Sequence, residues 1–240
     1  MSESTSEPRR VAMLAPMRPE LKAIVRAGAL SKLPEGGPFS HGGDIGGWTV
    51  SAGLIGIRPS LAGPATERML AHGAFDHVMV VGIAGGLDPE LAIGSLLVPS
   101  QVKLYPDGAV YQSHPLAGRT ATGALMTTDG LFSDDAVWGP ILQGGFGAVD
   151  MEAAAVAEIC ERAGIAWSVY RGISDRPDEH IVDQAVFELS KPDGSANVAA
   201  VAKYLARDPR RAKALAHLNR CMELAANVAA EAAFADLART

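Results

Sequence analysis

The chain has 240 residues, 48% of them hydrophobic and 20% charged, which is long enough to bury a core on both faces of one sheet and fits one large domain better than two. Its 21 Lys and Arg against 27 Asp and Glu leave a net charge of -6, without the basic footprint of a nucleic-acid binder. Cys160 and Cys221 lie far apart with no C-x-x-C spacing, which argues against a disulfide scaffold or a structural zinc site and fits a reducing compartment.

The opening MSESTSEPRR has no apolar stretch behind its arginines, so a secretory signal is not expected. No run of about 18 apolar residues appears, so no membrane span or insertion is expected either, and the cytoplasm is the default address. Residues 1–10 are polar and read as a disordered tail, which leaves 11–240 as one domain. Val11–Ala15 reads as a buried strand ended by Pro16. Pro19 stands where a helix can begin, and Leu21, Ile24 and Val25 follow at helical spacing. Residues 34–47, rich in Gly and Pro, read as loops or hairpin turns. They lack a GK[ST] ending and so do not make a phosphate-cradling loop.

Trp48–Ala52 reads as a strand and 60–73 as a helix ending at Gly73. His77–Ile83 is a continuous apolar run, expected to be a strand buried on both faces, and it leads into Gly85 and Gly86. A second apolar stretch is Ser95–Val98, and 105–115 reads as irregular. Asp150–Ala163 reads as a helix capped by Asp150, with Gly164 just past its end. Ile165–Ile173 is a further strand that delivers Ser174 and Asp175 at its C-terminal end. Asp208-Pro209 predicts a helix start, and Leu215, Leu218, Met222 and Ala225 mark one face of the long helix that follows. Strands alternating with helices define an α/β protein, expected to be a three-layer sandwich with ligands beyond the carboxyl ends of its strands.

Four segments carry polar residues at such ends: APMRPEL (15–21), VGIAGGL (81–87), VDMEAAA (149–155) and RGISD (171–175). In this order they resemble the nucleoside phosphorylase superfamily, and within it the methylthioadenosine/S-adenosylhomocysteine nucleosidase branch. The resemblance spans most of residues 11–185. It implies a mixed sheet flanked by helices, a homodimer or larger homo-oligomer, and a purine nucleoside as the small-molecule partner.

The resemblance also assigns roles. Asp175 matches the acid that donates to purine N7, which requires a site that raises its proton affinity. Read alone, it is equally a cap or a partner for Arg176. Glu20 matches the glutamate that activates water, though a first-turn Glu also suits the helix dipole. Arg171 matches the arginine that helps hold the water and that glutamate; otherwise it is a strand-end arginine pairing with a surface carboxylate. Glu152 matches the glutamate that holds the ribose hydroxyls and faces the positive charge developing on the sugar, with helix-terminal charge as the plainer reading. Met151 lies against the sugar or fills a core gap. Gly85 and Gly86 allow close backbone approach, or simply turn the chain. Ser174 belongs to the same motif as Asp175.

TTDGLF (127–132) resembles the segment that runs past the adenine. Leu131 replaces the stacking aromatic and Phe132 supplies backbone contacts. Tyr105, Tyr111 and His114 are candidates to reach a neighbouring subunit's sugar, against plain surface roles.

The nucleophile is a fork. Phosphorylases bind phosphate with arginines and a Ser or Thr near the glycine turn. Those positions are Val80 and Ile83 here, and apolar side chains cannot offset the desolvation of a dianion. Glu20 would repel phosphate, and Arg18 and Arg58 do not match the usual positions. Water is the expected nucleophile, and hydrolysis the expected reaction. A phosphorylase using Arg18 or Arg58 and a non-catalytic nucleoside-binding module are the alternatives. Ile83 also departs from the Ser usual in the nucleosidases. KPDGSANVAAVAKYLARDPRR (191–211) and GIAGGLDPEL resemble a divergent branch, the hopanoid-associated phosphorylases, which cleave adenine from adenosylhopane. The six histidines show no H-x-x-x-H spacing, so no metal is implied, nor any redox cofactor.

Overall fold

In the computed structural model, which describes residues 8–88, 90–106, 108–116, 118–130, 141, 144–176 and 184–240, the alternation of the first strand divides the core. In β1 (Arg9–Ala15), Ala12 and Leu14 face one hydrophobic cluster, and Val11, Met13 and Ala15 face another on the opposite side. In β5 (His77–Gly86), Val78 and Val80 join the first cluster, and Met79 and Val81 the second. A strand buried on both faces has no polar side to show, which is why this run is continuously apolar.

Helices cover both faces. On one lie α1 (Arg18–Ala27) and the 27-residue α6 (Arg211–Leu237), which bury Leu21 and Ile24, and Ala229, Ala233 and Phe234. On the other lie α2 (Pro59–Leu70) and α3 (Ala153–Ala163), through Ala62, Ala65, Met69, Val156 and Cys160. The alanines let the helices lie close to the sheet. Asp236, fully buried near the end of α6, accepts from the Tyr170 hydroxyl at 2.8 Å and from two nitrogens of Arg119, tying that helix to the sheet. The result is the expected three-layer α/β sandwich.

The sheet also contains β2 (Ser31–Lys32), β3 (His41–Ile45), β4 (Trp48–Leu54), β6 (Leu96–Leu97), β7 (Gln101–Leu104), β8 (Val110–Gln112), β9 (Ala124–Thr127), β10 (Phe146–Asp150) and β11 (Ala166–Asp175). The order is β2-β3-β4-β1-β5-β10-β9-β7-β8, with β11 on β5 and β6 on β11. Among the described residues there are also α4 (Gln184–Phe187) and α5 (Val198–Arg207). No helix among them is long and apolar enough to cross a membrane.

Several sequence expectations change. Arg9 and Arg10 are ordered in β1, because Arg9 stacks on Trp48 and the Arg10 backbone bonds Asp76. Residues 41–45 are a full strand, antiparallel to β4, and 110–112 pair with β7. Gly85 and Gly86 lie in extended β5 rather than in a turn. Asp150 ends a strand instead of opening α3, although its carboxylate still accepts the Ala153 N–H at 3.0 Å. Gly164 does close α3, in a left-handed conformation at φ 66°. The last helix starts at Arg211, not at Pro209. Asp208 ends α5, and its carboxylate caps the Arg210 N–H.

Candidate active site

The position of the site follows from β5 exchanging one neighbour. Its first half, His77–Val80, pairs with β1 in parallel. Its end, Gly85–Gly86, pairs antiparallel with β10 on that same side, while β11 runs along the other edge throughout. Residues 81–84 are left between the end of β1 and the end of β10. An open α/β sheet presents unpaired backbone to a ligand at such a switch.

Glu20 occupies that gap. Its Oε1 accepts the Ile83 N–H at 2.7 Å and its Oε2 the Met17 N–H at 2.7 Å. The carboxylate thus closes the start of α1 and bridges β1 to the unpaired stretch of β5. Gly82 permits this approach: a Cβ there would collide with Glu20 Oε1 and Arg171 Nη1. Burial pushes the Glu20 carboxyl up to about 7, against the pull of Arg171 and the two N–H groups.

Arg171 lies within β11, completely buried, and holds three carboxylates. Its Nη2 and Nε donate to Asp150 Oδ2, the latter at 3.1 Å; Nη2 also reaches Glu152 Oε2 at 3.2 Å. Its Nη1 stands 3.7 Å from Glu20 Oε1, and no hydrogen-bond partner satisfies it among the described residues. Burial opposes the guanidinium charge, and Asp150, Glu152 and Glu20 more than offset it. One cation for three acids is an unbalanced set, so burial also raises the Glu152 carboxyl well above its ordinary value of 4.5, with Asp150 and Glu20 adding to the effect. The other oxygen of Glu152 accepts the Arg58 N–H at 3.1 Å. Arg58 is a non-glycine residue at φ 83°, a strained conformation that directs its N–H toward this carboxylate.

Asp150 was the cluster member that sequence pattern disguised. Besides Arg171 it accepts the Thr127 hydroxyl at 2.6 Å, and Thr127 in turn accepts the Ala154 N–H. The signal was visible as an acid two positions before Glu152, but an acid before a helix reads first as a cap.

These groups open on a cavity of about 200 Å³. Of the sequence candidates, Glu20, Ile83, Gly85, Met151, Glu152, Ser174 and Asp175 line it. The Ser174 hydroxyl donates to Asp175 Oδ1 and orients that carboxyl. Arg171 stands behind the wall, against the acids. Gly86 is not on the wall; it packs against Ile173. Leu131 and Phe132 lie outside the described residues. Val80 is buried in the core, so only Ile83 of the apolar pair faces the cavity. The Arg18 side chain is exposed and pairs with Asp193, and Arg58 sits over the Phe187 ring. Tyr105 packs near Leu87 and Met126, and Tyr111 against the main core. His114 is exposed.

Sequence reading missed Phe187, Val186, Leu218 and Met222 on the wall. Phe187 belongs to the four-residue α4, which has no periodicity to reveal it. Leu218 and Met222 were visible only as a helix face.

A family model described as the phosphorylase superfamily matches residues 10–116 and 107–207. The chain belongs to this superfamily. A relative from Tolumonas auensis, named 5'-methylthioadenosine/S-adenosylhomocysteine nucleosidase, is 25% identical over 230 residues, covering 82% of this chain and 100% of that protein. One of the same name from Pseudoalteromonas translucida is 28% identical over 197 residues, covering 69% of this chain and 83% of its own. Among solved structures, the nucleosidase of that name from Colwellia psychrerythraea, in complex with adenine, superposes with a TM-score of 0.71 at 19% identity, covering 97% of this chain and 96% of that one. Futalosine hydrolase from Helicobacter pylori reaches 0.68 at 18% identity, with 95% and 98% covered. These two likenesses bear on the fold.

Proposed function

We propose that this protein is a purine nucleosidase that hydrolyses the N-glycosidic bond, with adenine as the favoured base and methylthioadenosine or S-adenosylhomocysteine as model substrates. The observation that carries the reading is the convergence of Glu20, Glu152 and Asp175 on one cavity, with Arg171 behind them. The names of the relatives support the same reaction class.

In this reading water attacks the anomeric carbon. Glu20, charged above about pH 7, accepts its proton, while the orphan Nη1 of Arg171 lies 3.7 Å from that carboxylate. The glycosidic electron pair leaves with the base, and Asp175 supplies the proton or hydrogen bond at purine N7. Each oxygen of Glu152 already accepts one donor and keeps a lone pair for a ribose hydroxyl. Its charge faces the oxocarbenium-like sugar. Free base and free sugar are the products. Ile83 offers phosphate no compensation, and the Met17 and Ile83 N–H groups are engaged by Glu20.

A specific observation favours a second reading of the substrate. A groove of about 780 Å³ adjoins the catalytic cavity and shares Val186, Ser190, Leu218 and Met222 with it. Its walls include Leu189, Val201, Leu205 and Leu215. A sugar substituent leaving the catalytic cavity past Met222 enters a mainly apolar space, whose walls also carry Lys22, Arg26, Asn219 and Glu223, and this suits a large hydrocarbon 5′ group of the adenosylhopane kind.

The test is base release from adenosine, inosine, methylthioadenosine, S-adenosylhomocysteine and a series of 5′-alkylthioadenosines, with and without phosphate. Free sugar in phosphate-free buffer is expected, and strict phosphate dependence with sugar 1-phosphate would overturn hydrolysis. A kcat/KM that climbs with alkyl length supports the second reading, and one that peaks at methyl removes it.

A further inference from the structure

One wall of the groove comes from a segment whose charge is opposite to that of the whole protein. Between 198 and 220 the sequence has six Lys or Arg against one acid, a net charge of +5 in a chain of -6. Lys203, Arg207, Arg210, Arg211, Lys213 and Arg220 are all exposed, and so are Lys22 and Arg26 at the groove's edge on α1. The single acid, Asp208, pairs with Arg210. Nearby Asp193 and Glu223 pair with Arg18 and Arg26.

Helix α5 stands on this face without a buried residue. Val198, Val201 and Leu205 recur at i, i+3 and i+7, so they share one side. Val201 and Leu205 line the groove, while Val198 is 77% exposed. Lys203 and Arg207 fall on the opposite side of α5. A helix with one apolar and one basic side has the composition of a helix that lies in a lipid interface.

We propose that α5 and the start of α6 form a docking face for an anionic lipid bilayer, with Val198 dipping into the interface and the basic residues meeting the headgroups. Two other occupants fit worse. A second copy of the chain would bring two strongly positive faces together. Single-stranded nucleic acid would look for open aromatic platforms, but Tyr204 is already covered by the Arg211 guanidinium at 4.5 Å. The face is peripheral and requires no spanning helix. It is separate from the catalytic groups, so it stands or falls independently of the proposed hydrolysis. Should the apolar 5′ reading hold as well, the groove opens where such a substrate would reside.

The experiment is sedimentation of the full chain with vesicles. One set is made of equal parts phosphatidylglycerol and phosphatidylcholine, the other of phosphatidylcholine alone. Binding to the anionic set only, weakened by added salt, is expected. Each basic residue near such a surface contributes about fivefold in partitioning, so R207Q with K213Q should weaken binding about 25-fold. Neither residue lines the catalytic cavity or the groove, so base release from a small nucleoside should be unchanged in that variant. Val198→Asp should also weaken binding. An acid at the first helical position favours the helix, so this variant keeps α5 folded, and circular dichroism checks that. Equal sedimentation with neutral vesicles, or no sedimentation, overturns the proposal. So does RNA binding without vesicle binding, or a Val198→Asp variant that instead loses self-association.

Discussion

Replacing Glu20 by glutamine separates its burial from its chemistry. Burial raises this carboxyl from 4.5 to about 7. The folded protein therefore binds an extra proton between those values, and this group's contribution to stability falls as the pH rises through that window. By about pH 8 the charged form costs roughly 3 kcal/mol relative to the unfolded chain, and at about pH 4 almost nothing. Glutamine carries no such penalty. It has one acceptor oxygen, however, and the N–H groups of Met17 and Ile83 both need one. That mismatch costs about 1–3 kcal/mol at every pH. E20Q is thus expected to be less stable than the parent near pH 4 and about equal to it near pH 8. The difference between the two proteins should move by roughly 3 kcal/mol, or about 6–12 °C in Tm for a chain of this size. Urea unfolding at several pH values measures it. The same variant should lose about 10²–10⁴ in hydrolysis while still binding nucleoside. A stability difference that does not change with pH would refute the buried-acid argument, and an unchanged rate would remove Glu20 as the base.

Asp175→Asn should lower kcat by about 10²–10⁴ with its Tm intact; a near-normal kcat in that folded variant would remove Asp175 as the acid. In the parent protein kcat/KM should rise with pH through and above about 7 as Glu20 and Glu152, both raised by burial, ionise, and a profile flat from acid to mildly alkaline pH would contradict the assignment. Asp150 adds to the proton affinity of Glu20, so D150N should shift that acid limb to lower pH. An unmoved limb in a folded D150N would leave Asp150 a purely structural partner of Arg171. Gly82→Ala places a methyl group against Glu20 and Arg171; kcat should fall while urea unfolding stays cooperative, and full activity would mean the carboxylate does not need that position.

The sequence by itself determined the layers and much of the site. The unbroken apolar runs Val11–Ala15 and His77–Ile83 required a sheet covered on both sides, and APMRPEL, VDMEAAA and RGISD carried Glu20, Glu152, Arg171 and Asp175 as expectations. What sequence could not supply was long-range pairing. Strands β7, β9 and β10 are short, and their apolar residues give no pattern apart from their neighbours. Asp150 read as a cap because its bond to the Ala153 N–H is local, whereas its bond to Arg171 crosses 21 residues. Phe187, Leu218 and Met222 share a cavity with Glu20 only because the tertiary fold brings α4 and α6 to the residues that follow β1. Tertiary structure alone decided that β5 exchanges β1 for β10. That exchange leaves Ile83 with an unpaired N–H and draws a carboxylate into the gap. Local patterning selects strands and helices. A neighbour switch within a sheet depends on contacts distant in the chain, and those set the proton affinities on which the proposed chemistry rests.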